Sequence, residues 1–218
     1  MKSIDTIRLR KACGWLGLLL PWIVLLLCVV YDCVPGPHIF PGSISATYYY
    51  APTITPFMII LGASGILLMC YRGYTKFDDI INTITGICAL GICLFPCRSG
   101  MNNLIGTFQV PERISGMIHN TCAVTFFLLL AFNCLFLFTK SSGEKTRNKK
   151  IRNTIYIVCG VGMLLSLIGW FTVKIYAITW WVEAVALMFF GIAFLTKADV
   201  YPWLFCDSKN RDEATDNA

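Results

Sequence analysis

Six apolar segments, each of about 20 residues, constrain the fold of this chain more than any other feature of its sequence. They extend over residues 13–34, 51–71, 79–97, 115–139, 154–173 and 177–196. A helix of this length crosses the hydrocarbon core of a bilayer and satisfies its backbone hydrogen bonds internally. We therefore predict an all-α fold, an integral membrane six-helix bundle, in which residues 1–197 form a single domain.

The composition points to the same class of protein. Hydrophobic residues make up 56% of the chain and charged residues 14%, and the mean hydropathy is +0.66. A soluble domain usually has about 25% charged residues, so the composition is typical of a membrane protein. The last residues, "DSKNRDEATDNA", are polar and have no periodicity, and we predict that residues 198–218 form a disordered cytoplasmic tail.

The distribution of basic residues predicts the orientation of the bundle. If both termini are cytoplasmic, 15 of the 18 Lys and Arg residues lie on the cytoplasmic side. Basic residues are retained on that side, so we expect this topology. The first apolar segment follows a basic stretch but continues through Tyr31, and no small-x-small cleavage site follows it, so we expect an uncleaved signal-anchor.

Away from the segment ends, the apolar segments contain one acidic residue and one histidine, at depths where charge is unfavourable and a function is expected. Glu183 lies about 9 Å and His119 about 6 Å from the outer edge of the membrane, at 1.5 Å per residue. Because their depths are similar, we expect the two side chains to pair. Such a pair serves general acid-base chemistry or a proton-coupled switch, or it is a structural hydrogen bond; the sequence leaves these alternatives open.

The connection before the second segment contains the uncharged stretch "PGSISATYYYAPTITP", Pro41 to Pro56. Its hydroxyl and aromatic side chains lie on the outer face, within reach of His119 and Glu183. We therefore predict a ligand-binding pocket at the outer leaflet, formed by Ser43, Ser45, Tyr48, Tyr49, Tyr50, His119 and Glu183. Ser45, His119 and Glu183 are also weak catalytic candidates, since a hydrolytic triad is defined by geometry and neither G-x-S-x-G nor S-x-x-K is present.

Polar residues also mark the cytoplasmic side. Asp78 and Asn82 share one helical stripe, and with Arg72 they form a structural polar stripe in which Asp78 is expected to pair with Arg72 or Lys76. A basic cluster precedes the fifth segment; it fixes the topology of the chain or contacts anionic lipids, and beyond its charge nothing indicates nucleic-acid binding. Its residues are Lys145, Arg147, Lys149, Lys150 and Arg152.

The cysteines do not predict a metal centre. The chain has 11 cysteines but no C-x-x-C motif and no zinc-ligand spacing, so we expect neither a metal nor a cofactor. Several lie inside apolar segments, where cysteine behaves as a small hydrophobe. Cys33 and Cys97 lie at the outer ends of two segments, where they can form a disulfide if that face is oxidising or remain free thiols.

Several motifs along the chain carry a resemblance to a known group of proteins. These are "SISATYYY", "YRGYTKFDD", "GICLFPC", "IHNTCAVTFF" and "VEAVALMFFGIAFLTKA". In this order they resemble a group of uncharacterised bacterial six-span membrane proteins with a domain of unknown function. That group is distantly similar to the DRAM/Sfk-type and Frag-type membrane proteins, which are linked to lipid handling and membrane trafficking in eukaryotes. The resemblance implies a location in the bacterial cytoplasmic membrane.

The resemblance also extends to individual positions. The matching residues are Ser43, Ser45, Tyr48 to Tyr50, Arg72, Asp78, His119 and Glu183. The group commonly has an Arg-Asp pair after the tyrosine run, and "APTITP" stands there in this chain, which weakens the case for a charged substrate.

Three functions remain open at this point. The favoured hypothesis is a non-enzymatic protein that binds lipid or a protein partner through the outer pocket. The alternatives are an intramembrane hydrolase acting on a lipid-type substrate and a small proton-coupled transporter.

Overall fold

Six long helices, joined mostly by short connections, make up the structure, a computed structural model that describes residues 3–34, 36, 38–73, 75–101, 103–140, 147–172, 178–198 and 200. The helices are α1 Ser3–Val30, α2 Ala51–Cys70, α3 Lys76–Leu94, α4 Glu112–Phe132, α5 Arg147–Thr172 and α6 Ile178–Lys197. A 3-10 helix spans Ser45–Tyr49, a π-helical turn over Asn133–Leu137 extends α4, and strands β1 Leu104–Ile105 and β2 Val110–Pro111 form a small hairpin. Apart from Ala198 and Val200, the expected tail lies outside the described residues.

The number of helices and their type are as predicted, and each helix is long and apolar enough to cross a membrane. The helix ends differ from the predicted segments where the chain has local signals. α3 ends at Leu94 instead of residue 97 because Pro96 disfavours helical geometry at Phe95, which has φ −118° and ψ 93°. α4 begins at Glu112, directly after Pro111. α1 and α5 start earlier than predicted, since their polar first turns are also helical.

The helices form a closed ring. Each packs against its neighbour in sequence, and α6 packs against α1. The Arg10 guanidinium donates a hydrogen bond to the carbonyl of Lys197 at 3.2 Å, so the start of α1 and the end of α6 lie together. We call this end of the bundle the terminal end. The opposite end, which carries the α1–α2 and α3–α4 connections, is the loop end.

Close backbone contacts fix the α2–α3 pair. A Cβ on Gly86 would lie 2.3 Å from the carbonyl oxygen of Gly65, and a Cβ on Gly65 would lie 2.9 Å from that of Gly86. Small residues at such crossings let two helices approach through their backbones. The α2–α3 contact therefore depends on glycine at both positions.

Burial separates the faces of α2 and α3. On α3 the polar stripe of Asp78, Asn82 and Thr85 is buried. On α2 Thr55 and Met69 are exposed, whereas the large side chains of Phe57, Leu61 and Leu68 face the core.

Candidate ligand-binding cavity

A cavity of about 110 Å³ lies at the loop end of the bundle. Side chains from α4, α5 and α6 form its wall, and the α1–α2 and α3–α4 connections contribute Ser43, Ser45 and Cys97. His119 and Glu183 also line it, so four of the seven residues predicted to form the ligand pocket surround one space. Tyr48, Tyr49 and Tyr50 are absent from its lining among the described residues.

The carboxylate of Glu183 holds the α1–α2 connection against α6. Its Oε2 accepts a hydrogen bond from the amide of Ile44 at 2.6 Å and a longer one from the amide of Ser45 at 3.3 Å. These amides begin the 3-10 helix, and the free N–H groups at the start of a helix favour a carboxylate. Glu183 therefore anchors the connection in addition to lining the cavity.

Hydroxyl groups shape the rest of this connection. The amide of Ala46 donates to Ser43 Oγ at 2.9 Å, and Thr47 Oγ1 donates to the carbonyl of Ile44 at 2.6 Å. Thr53, in the first turn of α2, donates to the carbonyl of Thr47 at 2.5 Å. Thr47 and Thr53 are fully buried, so they fasten the connection to the bundle.

The three tyrosines brace the connection from outside the cavity. The Tyr48 and Tyr49 rings pack edge to face, with centroids 5.4 Å apart. The Tyr49 hydroxyl donates to the carbonyl of Cys97, and burial raises the pKa of Tyr49, which keeps the hydroxyl protonated as a donor. Tyr50, with extended backbone geometry, precedes the first turn of α2.

One face of α4 holds the unwound segment that follows α3. Glu112, Ser115 and His119 lie three and four residues apart, which places them on one helical face. The amide of Gly100 donates to Glu112 Oε1, Ser115 Oγ donates to the carbonyl of Pro96 at 2.8 Å, and His119 Nδ1 lies 2.8 Å from the carbonyl oxygen of Phe95. Only an Nδ1–H can bond a carbonyl, so Nε2 is the acceptor nitrogen of the neutral ring.

The expected contact between His119 and Glu183 is therefore not formed. Within the described part of the chain, His119 bonds the backbone after α3 and Glu183 bonds the backbone before α2. The two side chains share the cavity without pairing, and the prediction that they form an acid-base pair was wrong. Glu112 and Ser115 were not predicted. Two signals in the sequence point to them: their helical spacing from His119, and Pro96, which follows α3 and ends its helical geometry.

Two further features define the chemistry near the cavity. Burial raises the pKa of the Cys97 thiol, which lies beyond the end of α3, to about 12, and the nearby Glu183 carboxylate adds to this rise. Cys97 is therefore a neutral thiol, and neither it nor Cys33 is joined in a disulfide. A second cavity of about 40 Å³ shares Ser45, Ala123, Phe127 and Glu183 with the first and is otherwise lined mainly by apolar side chains of the core.

A separate polar cluster lies at the terminal end. Asp78 is buried and pairs with Lys140 at 3.0 Å, while Arg72 pairs with Asp79 at 3.2 Å. The prediction that Asp78 pairs with Arg72 or Lys76 was wrong, because Asp78 pairs with Lys140, which follows the π-helical turn after α4. The Arg72 side chain is 69% exposed and does not belong to the buried stripe.

Two buried amides complete this cluster. Asn82 Nδ2 donates to the carbonyl of Asp78 at 2.7 Å, and Asn133 Nδ2 donates to that of Leu129 at 3.0 Å. These bonds orient the Oδ1 atoms, which have no hydrogen-bond partner among the described residues. Both residues and Asp78 line a cavity of about 10 Å³.

Apolar packing separates the two ends. His119 and Asn133 lie 14 residues apart on α4, about 21 Å at the helical rise. Phe126 and Leu130 lie between them and are fully buried, next to Phe190 of α6 in the same core. The described residues thus form two polar sites with an apolar layer between them.

The residues predicted to contact anionic lipids lie at the terminal end, and one of them lies outside the described residues. Arg147, Lys149, Lys150 and Arg152 are in the first turns of α5, and Lys145 lies outside the described residues. Among the residues described, no group of three or more His, Cys, Asp and Glu side chains is arranged to hold a metal ion.

The fold and site define a class of protein: an all-helical bundle of six apolar helices with a cavity at its loop end. No protein-family model, curated protein or solved structure matches the chain.

Proposed function

We propose that this chain is an integral membrane protein, with both termini in the cytoplasm, that binds a lipid-type amphiphile in its loop-end cavity and catalyses no reaction. On this proposal the loop end faces outward and the cavity lies in the outer leaflet. The resemblance to bacterial six-span membrane proteins supports a bacterial cytoplasmic membrane. The observation that carries the proposal is the cavity itself, whose surface is mainly apolar and includes the polar side chains of Ser43, Ser45, His119 and Glu183.

The surface of the bundle supports insertion into a membrane. Each helix exposes large apolar side chains, a surface that is unfavourable in water and suited to lipid. Examples, one from each helix in order, are Leu26, Ile59, Ile87, Leu128, Leu165 and Trp181. The basic residues at the terminal end support the same orientation, because positive charge is retained in the cytoplasm and contacts anionic headgroups there.

The cavity suits an amphiphile better than a fully polar ligand. Apolar side chains such as Val124, Phe127 and Leu167 line the sides between α4 and α5, and the smaller neighbouring cavity continues towards the core. A small set of polar groups in a mainly apolar pocket fixes the orientation of a ligand, while the apolar wall supplies most of the affinity. An acyl chain along the wall with its head near Glu183 fits this division.

The hydrolase alternative is supported less well. Ser45 and His119 line the same cavity, but the carboxylate of Glu183 bonds backbone amides rather than His119, so no acid within the described ranges orients the imidazole. The neutral thiol of Cys97 is a poor nucleophile, since the thiolate is the reactive form. The transporter alternative needs a polar path between the two ends, and Phe126 and Leu130 interrupt it.

Native mass spectrometry of the protein, purified in a mild detergent, tests the proposal. We expect the intact chain to carry a co-purified amphiphile that organic extraction releases unchanged. A protein that retains no amphiphile, or that cleaves the one it retains, would contradict the proposal. Labelling of Ser45 by a serine-directed probe would favour the hydrolase instead.

A further inference from the structure

The charge inside the cavity is of one sign. Glu183 is the only Asp, Glu, Lys or Arg among the described residues that line it. Its Oε2 accepts both backbone hydrogen bonds, while Oε1 has no hydrogen-bond partner in the described part of the chain. A carboxylate at membrane depth is unfavourable unless a positive group or further donors accompany it. The cavity therefore offers a place for a positively charged group next to Oε1.

The neighbouring polar groups favour a ligand that donates hydrogen bonds. His119 Nδ1 bonds the carbonyl of Phe95, so the ring presents Nε2 as an acceptor. Ser43 and Ser45 add hydroxyl oxygens to the same cavity, and its lining also includes the polar side chains of Asn120, Ser166 and Thr179. Since the carboxylate and the imidazole both accept, a ligand whose head carries several N–H donors matches this end of the cavity.

Aromatic side chains extend the same preference. Phe127 and Trp170 line the cavity on α4 and α5. The face of an aromatic ring attracts a cation, and the attraction strengthens where water is excluded. A cationic head thus gains from the rings as well as from Glu183.

From these three features, and building on the function proposed above, we propose that the cavity selects amphiphiles with a primary ammonium head, as in an ethanolamine lipid. A primary ammonium is compact and has three N–H donors for Glu183 Oε1, His119 and the serine hydroxyls. A trimethylammonium head has no N–H to donate, and a glycerol head carries no positive charge. The selectivity depends on Glu183, because its carboxylate is the group that contacts the ammonium of the ligand.

Competition between defined short-chain lipids tests this inference. Purified, delipidated protein is mixed with equal amounts of dioctanoyl phosphatidylethanolamine, phosphatidylcholine and phosphatidylglycerol, and the bound fractions are read by native mass spectrometry. We expect about a tenfold preference for the ethanolamine lipid over each of the others, equivalent to about 1.4 kcal/mol. The variant Glu183→Gln should bind all three to a similar extent.

Asp79→Asn provides the matched control, because it removes a carboxylate at the terminal end, outside the cavity. It should keep the preference of the native chain. Equal binding of the three lipids by the native chain would overturn the inference and leave the proposed function intact. Binding of none of them would contradict the proposed function itself. An unchanged preference in Glu183→Gln would also overturn the inference, while the native chain's own preference can be read whether or not that variant folds.

Discussion

Glu183 shows how one side chain shapes both the loop and the cavity at the loop end. Its Oε2 satisfies the amides of Ile44 and Ser45, which have no partner within the 3-10 helix, and its Oε1 remains available to the cavity. Glu183, the acidic residue of the cavity, is thus also the residue that holds the α1–α2 connection in place.

Replacing Glu183 with Leu should loosen the α1–α2 connection. Two amides lose their acceptor, and an unsatisfied buried donor costs about 1–3 kcal/mol, so the free energy of unfolding should fall by that order. Glu183→Gln keeps an acceptor oxygen and should lose less. Hydrogen exchange should speed up at residues 44–47 in Glu183→Leu, with the amides of α3 as the internal reference. Unchanged protection at 44–47 would contradict the anchoring role.

The α2–α3 pair shows how closely two helices of this bundle approach. The backbone oxygen of Gly65 occupies the space where a side chain on Gly86 would begin. Gly62, three residues before Gly65 on the same helix, has only Cys93 Sγ near its would-be Cβ, at 4.0 Å. The two helices therefore carry positions that exclude a methyl group, such as Gly86, and one that accepts it, Gly62.

We expect Gly86→Ala to destabilise the protein and Gly62→Ala to be tolerated. Overpacking of this kind costs about 1–3 kcal/mol, because backbone atoms cannot move aside as a flexible side chain can. Thermal unfolding in detergent should show a lower midpoint for Gly86→Ala and a midpoint near that of the native chain for Gly62→Ala. Equal midpoints for the two variants would mean that the helices do not cross as described.

The elements were predictable from sequence to different degrees. The six helices followed from hydrophobic length alone, because backbone groups in an apolar environment require a helix. Which face of α2 is buried did not follow from the sequence, since Phe57 and Leu68 pack against neighbouring helices whose positions the sequence does not give. Contacts between residues far apart in sequence were also not predictable, as with Lys140 and Asp78, which are 62 residues apart.

The same limit applies to the candidate site. Charge patterning and helical rise led to His119 and Glu183, both of which line the cavity. The partners of these residues are backbone groups of irregular segments, at Phe95 and Ile44, and no side-chain pattern encodes such contacts. Depth along a helix is thus readable from sequence, whereas hydrogen bonding to a connection requires the fold.

The closed ring of six helices gives the molecule two different ends. The terminal end gathers Arg10, Lys140 and Lys197 with the buried Asp78, and the loop end holds the cavity. An even number of helices brings the start of α1 and the end of α6 together, and the excess of basic residues at that end favours the cytoplasm.

Reporter fusions test this orientation. If the terminal end is cytoplasmic, as proposed, green fluorescent protein fused after residue 218 should fluoresce in a bacterial host, and alkaline phosphatase fused at the same position should be inactive. Phosphatase fused within the 35–42 segment at the loop end should be active. The opposite pattern would reverse the topology and place the cavity in the inner leaflet.

The central claim is that the loop-end cavity holds a lipid-type amphiphile. Ala123 lines this cavity, whereas Ala63 of α2 is similarly half-buried but lies outside the described cavities. The most direct measurement compares the amphiphile retained by the native chain, Ala123→Leu and Ala63→Leu in native mass spectra. We predict that Ala123→Leu, which fills the cavity, loses most of the bound amphiphile and that Ala63→Leu retains it. Equal retention by a folded Ala123→Leu variant would show that the amphiphile binds elsewhere and would contradict the claim.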